Sequence, residues 1–304
     1  MTSISSSMRM KTMAAPIFSI LFLVLCSSSM VLSVSFNRIQ LPPNATGPEA
    51  LAFEPKTGIF YTGIADGRVL KYRPRVGRFE DLGFFAPNRS KAVCDGTETA
   101  MPNPVCGRPL GMGFHHATKR LYVCDAFFGF GVLEPKGGLG TLLSTGADGE
   151  RYRFCNVVDV HQRPVGVAVD EDAKFVFISL FIINKTIKFW LKGPNSKANK
   201  YEIINSVAMP DNIKRTESGR SFWLAAAMEK QSSLVPIGKR FNENGIVLQT
   251  VNFEQVYGNK SISEVQEYQG RLYAVSRFAN FIPVLKDLKF KLLAACPEKC
   301  INCS

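Results

Sequence analysis

The chain has 304 residues, 46% of them apolar, enough to bury a sizeable core in one large domain or two small ones. Its formal net charge is +12, but the basic residues are scattered, apart from Lys286, Lys289 and Lys291, and no aromatic–basic module accompanies them. A solvated basic surface is therefore expected, and nucleic acid is not an expected partner.

Residues 1–33 read as a secretory leader. Arg9 and Lys11 supply a positive start, Ala14 to Cys26 an apolar run, and Val31 and Ser33 the small-residue spacing of a cleavage site. The alternative is an uncleaved membrane anchor, against which Ser27–Ser29 interrupt the apolar run before it reaches a spanning length of about 20 residues. No later segment is long enough to span. Cleavage removes two positive charges, Arg9 and Lys11, and no negative one, leaving +10. Seven of the eight cysteines remain. Cys94 and Cys106 bracket a short loop and suit a disulfide. Cys124 and Cys155 sit in apolar, strand-like runs. Cys296, Cys300 and Cys303 lack a fourth ligand for zinc. Four Asn-x-Ser/Thr sites, at Asn44, Asn88, Asn184 and Asn259, fit glycosylated surface loops.

From Pro48 onward the chain repeats itself. Segments starting at Pro48, Pro109, Pro164, Pro210 and Ile262 share one plan: a short apolar strand, a polar turn, a second apolar or aromatic strand, then a third. The starts are 46 to 61 residues apart, the apolar positions alternate, and no long helical period survives outside the leader. Repeats of this length and strand content read as blades of a β-propeller. A propeller's first strands line its channel, so Glu49, Asn156 and the Asp211–Asn212 pair are expected to converge there, as oxygen ligands suited to calcium. The other reading is that Glu49 and Asp211 cap turns beside prolines. His115, His116 and His161 fall at turns or junctions and read as structural.

The motifs GPEALAF (47–53), YTGIADGR (61–68), CGRPLG (106–111), DAFFG (125–129), FWLKGP (189–194) and PDNIKR (210–215) resemble those of the plant strictosidine synthase-like proteins, over about Gln40 to Leu285. The resemblance implies a six-bladed β-propeller over 34–291, followed by an atypical tail at 292–304. It also implies a Cys94–Cys106 disulfide, a vacuolar or extracellular destination, and a small-molecule ligand in the central channel. The founding activity of the family joins tryptamine to secologanin. Relatives of similar fold include calcium-dependent lactonases and arylesterases, whose metal ligands match Glu49, Asn156, Asp211 and Asn212.

Three departures from the family pattern bear on function. Ser263 stands where the synthase has its catalytic glutamate, and a hydroxyl without an activating neighbour is no general base near neutral pH. Glu264 is expected to face away from the channel because adjacent strand residues alternate. Glu267 is expected to share the inward face at greater depth. Val165 replaces an asparagine of the calcium-type set. About fifty residues are missing between FCNVVDV (154–160) and PVGVAVDE (164–171), which leaves one blade incomplete, as five repeats and an orphan strand. The expected activity is that of a lactonase- or esterase-type hydrolase, with Ca2+ as its cofactor. The alternatives are the amine–aldehyde condensation and a non-catalytic binding protein or truncated remnant.

Overall fold

A computed structural model describes residues 36–98, 103–147, 150–151, 164–197, 201–230 and 233–285. The expected leader, Asn156 with the orphan strand at 154–160, His161 and the tail at 292–304 lie outside the described residues.

The described chain is a ring of antiparallel sheets. Blade 1 runs outward through Leu51–Phe53, Phe60–Gly63, Val69–Arg73 and Arg78–Phe84, with Gly138–Leu139 added in parallel at its rim. Blade 2 is Pro109–His115, Arg120–Asp125, Gly129–Leu133 and Thr141–Ser144. Blade 3 is Pro164–Val169, Phe175–Leu180, Lys185–Trp190 and Tyr201–Ser206. Blade 4 is Ile213–Arg215, Ser221–Lys230, Ser233–Asn242 and Val247–Asn252. Blade 5 takes three strands from the end of the described chain, Glu264–Tyr268, Arg271–Val275 and Phe281–Leu285, and its outermost from the beginning, Phe36–Gln40. That last pairing, Phe36 opposite Leu285 through Gln40 opposite Phe281, ties the two ends together.

The propeller therefore has five blades among the described residues, and the expectation of six is corrected. Blades 2 and 3 are joined by a two-stranded hairpin, Gly146–Ala147 with Glu150–Arg151, and by residues 152–163. Twelve residues cannot supply four strands of five or six residues each.

Four seams between blades are packed. Phe53 stacks on Tyr268 at 4.1 Å between blades 1 and 5. Tyr61 stacks on Phe114 at 5.6 Å between blades 1 and 2. Phe177 meets Phe222 edge-on at 4.6 Å between blades 3 and 4. The fully buried Trp223 of blade 4 donates its indole N–H to Glu267 of blade 5 at 3.3 Å. Such pairs add to simple area burial because ring edges and faces carry opposite partial charge. At the 3/4 seam Gly166 lets two backbones meet: a Cβ there would lie 2.7 Å from the Asp211 carbonyl oxygen and the Ile213 nitrogen. Among the described residues no comparable cluster joins blades 2 and 3.

The Cys94–Cys106 disulfide closes the loop between blades 1 and 2. Gly67, at φ +87°, sits where a Cβ would collide with the Cys106 carbonyl, so the ADG turn needs glycine. Asp66, fully buried beside it, accepts from Arg68 and from the Gly96 amide.

Candidate functional site

A cavity of about 400 Å³ lies between the described faces of blades 2 and 3. Gly111, Tyr122 and Phe130 form one wall, Val165 and Val167 the other, and Glu49 with Asp211 to Lys214 the polar end. The expected convergence of first-strand residues is thus seen for Glu49, Asp211 and Asn212.

The polar end is a set of matched charges. Glu49, in the GPEALAF turn, receives Arg108 Nη2 at 3.3 Å, and Arg108 Nη1 also donates to the Gly47 carbonyl at 3.1 Å. Burial pulls the Arg108 guanidinium below its ordinary pKa. Arg108 is held in place through its backbone N–H, which donates to Asp125 at 2.8 Å; Asp125 also accepts from the Phe127 and Phe128 amides, which gives the DAFFG motif its role. Asp211 is fixed by its own backbone: its N–H donates to Ala225 and its carbonyl accepts from Ser179 Oγ at 2.5 Å. Burial, and then the negative charge of Glu49, push the Asp211 carboxyl well above the usual range, against the opposing charge of Arg277.

Glu264 lies at the meeting of three blades. Its Oε1 accepts from the Leu51 amide of blade 1 at 2.9 Å, and its Oε2 pairs with Lys214 Nζ of blade 4 at 3.2 Å. Burial raises its pKa, and Lys214 opposes the rise. Neither Glu264 nor Glu267 lines the cavity, so the expected inward placement of Glu267 is corrected. On this strand the pleat does not sort channel from exterior. It sorts one neighbouring blade from the other: Glu264 and Tyr268 face blade 1, whereas Val265 and Glu267 face blade 4. Ser263 is buried; its carbonyl accepts from the Asn212 amide at 3.0 Å, and its hydroxyl has no partner among the described residues. Alternation in the sequence revealed the strand but not which blade each face meets, so Arg108 and Lys214 were not anticipated as partners.

Calcium takes six to eight oxygens. Here the described donors are two carboxylates and one amide. Arg108 already occupies one Glu49 oxygen, Val165 and Val167 present methyl groups, and Lys214 adds positive charge to the same cavity. Among the described residues no three His, Cys, Asp or Glu side chains form a metal-holding group. The described residues do not fit a calcium ion. His115 bonds Thr118 at a strand end, and His115 and His116 are both exposed. Asn44, Asn88, Asn184 and Asn259 are all exposed. No helix of the described residues is long and apolar enough to cross a membrane.

Residues 34–72 match the family described as strictosidine synthase-like, N-terminal. The chain is 32% identical to the protein STRICTOSIDINE SYNTHASE-LIKE 12 of Arabidopsis thaliana, over 88% of this chain and 95% of that one. That alignment extends over 321 positions, so roughly fifty of them have no counterpart here. Strictosidine synthase of Catharanthus roseus is 26% identical over 82% of this chain and 86% of its own. Among solved structures, a gluconolactonase of Xanthomonas campestris superposes with a TM-score of 0.54 at 14% identity, covering 85% of this chain and 92% of that one, a likeness of fold. On these grounds the chain belongs to the plant strictosidine synthase-like family.

Proposed function

We propose that this protein is a secretory-pathway hydrolase for small neutral esters or lactones, acting without a metal. The observation that carries the reading is that Asp211, Asn212 and Lys214 stand at the polar end of a cavity whose walls are apolar. The gluconolactonase of like fold lends the reaction class its plausibility. The disulfide and the four exposed sequon asparagines support the compartment.

In this mechanism Asp211, as carboxylate, takes a proton from a water molecule while the water oxygen attacks the substrate carbonyl carbon. Burial raises the pKa of this group and so makes its ionised form a stronger base than a surface aspartate. The Lys214 ammonium and the side-chain amide of Asn212 stabilise the oxyanion. As the acyl–oxygen bond breaks, Asp211 returns its proton to the leaving alkoxide, giving acid and alcohol. Arg108, donating to Glu49 at 3.3 Å, keeps that side chain out of competition for the water. The amine–aldehyde condensation is disfavoured because Ser263 carries no base and Glu264 is engaged by Leu51 and Lys214.

The test is hydrolysis of p-nitrophenyl esters and simple lactones by the secreted protein and by Asp211→Asn. Loss of about 10²- to 10⁴-fold in kcat is expected for the variant, with EDTA leaving the wild type unchanged. No turnover above buffer in the wild type, or full activity in Asp211→Asn, would refute the reading. A rate abolished by chelator and restored by calcium would refute its metal-free part, and strictosidine from tryptamine and secologanin would replace it with the synthase activity.

A further inference from the structure

All four sequon asparagines open onto one face of the ring. In an antiparallel blade the second and fourth strands run the same way, so they end on the same face. Asn184 follows the second strand of blade 3, Phe175–Leu180. Asn44, Asn88 and Asn259 each follow the fourth strand of a blade: Phe36–Gln40, Arg78–Phe84 and Val247–Asn252.

Asn259 is set apart by what lies beside it. A cavity of about 350 Å³ lies on this face, and the whole sequon, Asn259, Lys260 and Ser261, lines it. Met209, Leu234 and Phe278 form its apolar side. The sequon is fixed to that side, because Ser276 Oγ donates to the Ser261 carbonyl at 2.6 Å and accepts from the Phe278 amide at 3.2 Å. The turn carrying Asn259 is held as well: the Gly258 amide donates to the Glu254 carbonyl at 2.8 Å, and the Lys260 amide to the Tyr257 carbonyl at 3.1 Å. Phe278 is 46% exposed, although the Arg277 guanidinium stands over its ring at 5.4 Å. Lys260 and Arg277 bring N–H donors, and among the described residues no carboxylate lines the cavity. An exposed ring beside N–H donors suits a neutral sugar. The C–H face of the sugar lies on the negative ring face, and its hydroxyls accept from the donors.

We propose that Asn259 carries an N-linked glycan whose first sugar lies in this cavity against Phe278, as part of the folded surface rather than as a solvated appendage. The transfer joins Asn259 Nδ2 to the anomeric carbon of an N-acetylhexosamine. It breaks the bond from that carbon to the diphosphate of a lipid-linked oligosaccharide donor, and it releases the lipid diphosphate and one amide proton. Contact between a sugar and one phenyl ring is weak for free molecules, but the covalent link gives the sugar an effective concentration on the order of millimolar. Residues 1–35 and 286–304 lack that advantage. They join the ring at Phe36 and Leu285, which pair at the opposite end of blade 5 from Gln40 and Phe281. The inference rests on the secretory compartment of the proposed function and not on its hydrolysis.

Mass-spectrometric mapping of glycopeptides from the secreted protein, followed by thermal melts of variants, tests it. Asn259 is expected to be occupied. Asn259→Gln is expected to lower Tm by about 2–4 °C, and Ser261→Ala, which abolishes the sequon while keeping the asparagine, to do the same. Asn88→Gln is expected to leave Tm unchanged. Phe278→Ser is expected to cost about as much as Asn259→Gln, and the two together no more than the worse one alone, because both remove the same contact. An empty Asn259 in a chain glycosylated at another sequon overturns the inference and leaves the compartment standing. No glycan at any of the four sites overturns both. An occupied Asn259 whose loss leaves Tm unchanged, or whose loss adds fully to that of Phe278→Ser, overturns the placement in the cavity and returns the glycan to solvent.

Discussion

The seam between blades 4 and 5 and the open space between blades 2 and 3 are built from the same kind of strand. Both have β-branched and aromatic side chains alternating along antiparallel ladders. At the closed seam Trp223 is fully buried and bonded to Glu267, and Gly238 brings its strand close to Val265 and Phe253. At the open one Val167 and Val169 look into solvent and Tyr122 and Phe130 line a cavity. The contrast shows that the strands are specified locally and the blade contacts are not. A blade face becomes core only when a neighbour of the right angular position packs on it, and among the described residues nothing comparable packs between blades 2 and 3.

Substitutions that treat the two regions alike should give opposite results. The largest effect is expected for Trp223→Ala, which removes a fully buried indole and strands the Glu267 carboxylate; urea denaturation should show a loss of about 3–5 kcal/mol. Replacing both Cys94 and Cys106 by Ser should lower stability by about 3 kcal/mol, since the cross-link closes a loop of 12 residues' separation at the packed 1/2 seam. A mass-spectrometric count of thiols separates this loss from mispairing.

The pH dependence is a medium effect and has an unusual sign. Asp211 and Glu264 bind protons more tightly when folded than when unfolded, because burial raises both. The folded state therefore holds more protons than the unfolded state between the ordinary carboxylate pKa and the raised one, and stability falls as pH rises through that interval. Denaturation midpoints should drop from about pH 4 upward, and Asp211→Asn should flatten the curve. A midpoint that climbs with pH in the wild type would contradict the burial argument. The smallest effect belongs to the open side: Val169→Thr, at a half-exposed position, should change stability by no more than about 0.5 kcal/mol.

Much of this architecture was legible in the residues. The five repeat starts at Pro48, Pro109, Pro164, Pro210 and Ile262 each open an innermost strand, because those strands are short, apolar and marked by a turn on either side. The disulfide was legible from its loop. The outermost strands were harder: Arg78–Phe84, Thr141–Ser144 and Val247–Asn252 lie at the rim, where exposure dilutes the alternation. Phe36–Gln40 was invisible, since nothing in five residues announces a partner more than 240 positions away. Glu49, Asp211 and Asn212 do line one cavity, from the turns just ahead of the innermost strands Leu51–Phe53 and Ile213–Arg215. The ion pairs around them were not legible, because each joins two repeats: Arg108 meets Glu49 of the first, and Lys214, from the repeat that holds Asp211 and Asn212, meets Glu264 of the fifth. Glu267 was misplaced for the same reason. Alternation is a property of one strand, and the channel is a property of several.

The strand Phe36–Gln40 has one more effect, on the order of events. A chain made from its N-terminus produces this strand before any of the blades and its partner Phe281–Leu285 after nearly all of them. Blades 2 to 4, and the four antiparallel strands of blade 1, come from consecutive stretches and can fold as they emerge, but the fifth must wait for synthesis to finish. Ring closure is then the last and slowest step, because it joins the most distant contacts in the molecule. Until it occurs, the edge of Phe281–Leu285 and the strand Phe36–Gln40 are both open to pairing with unrelated strands.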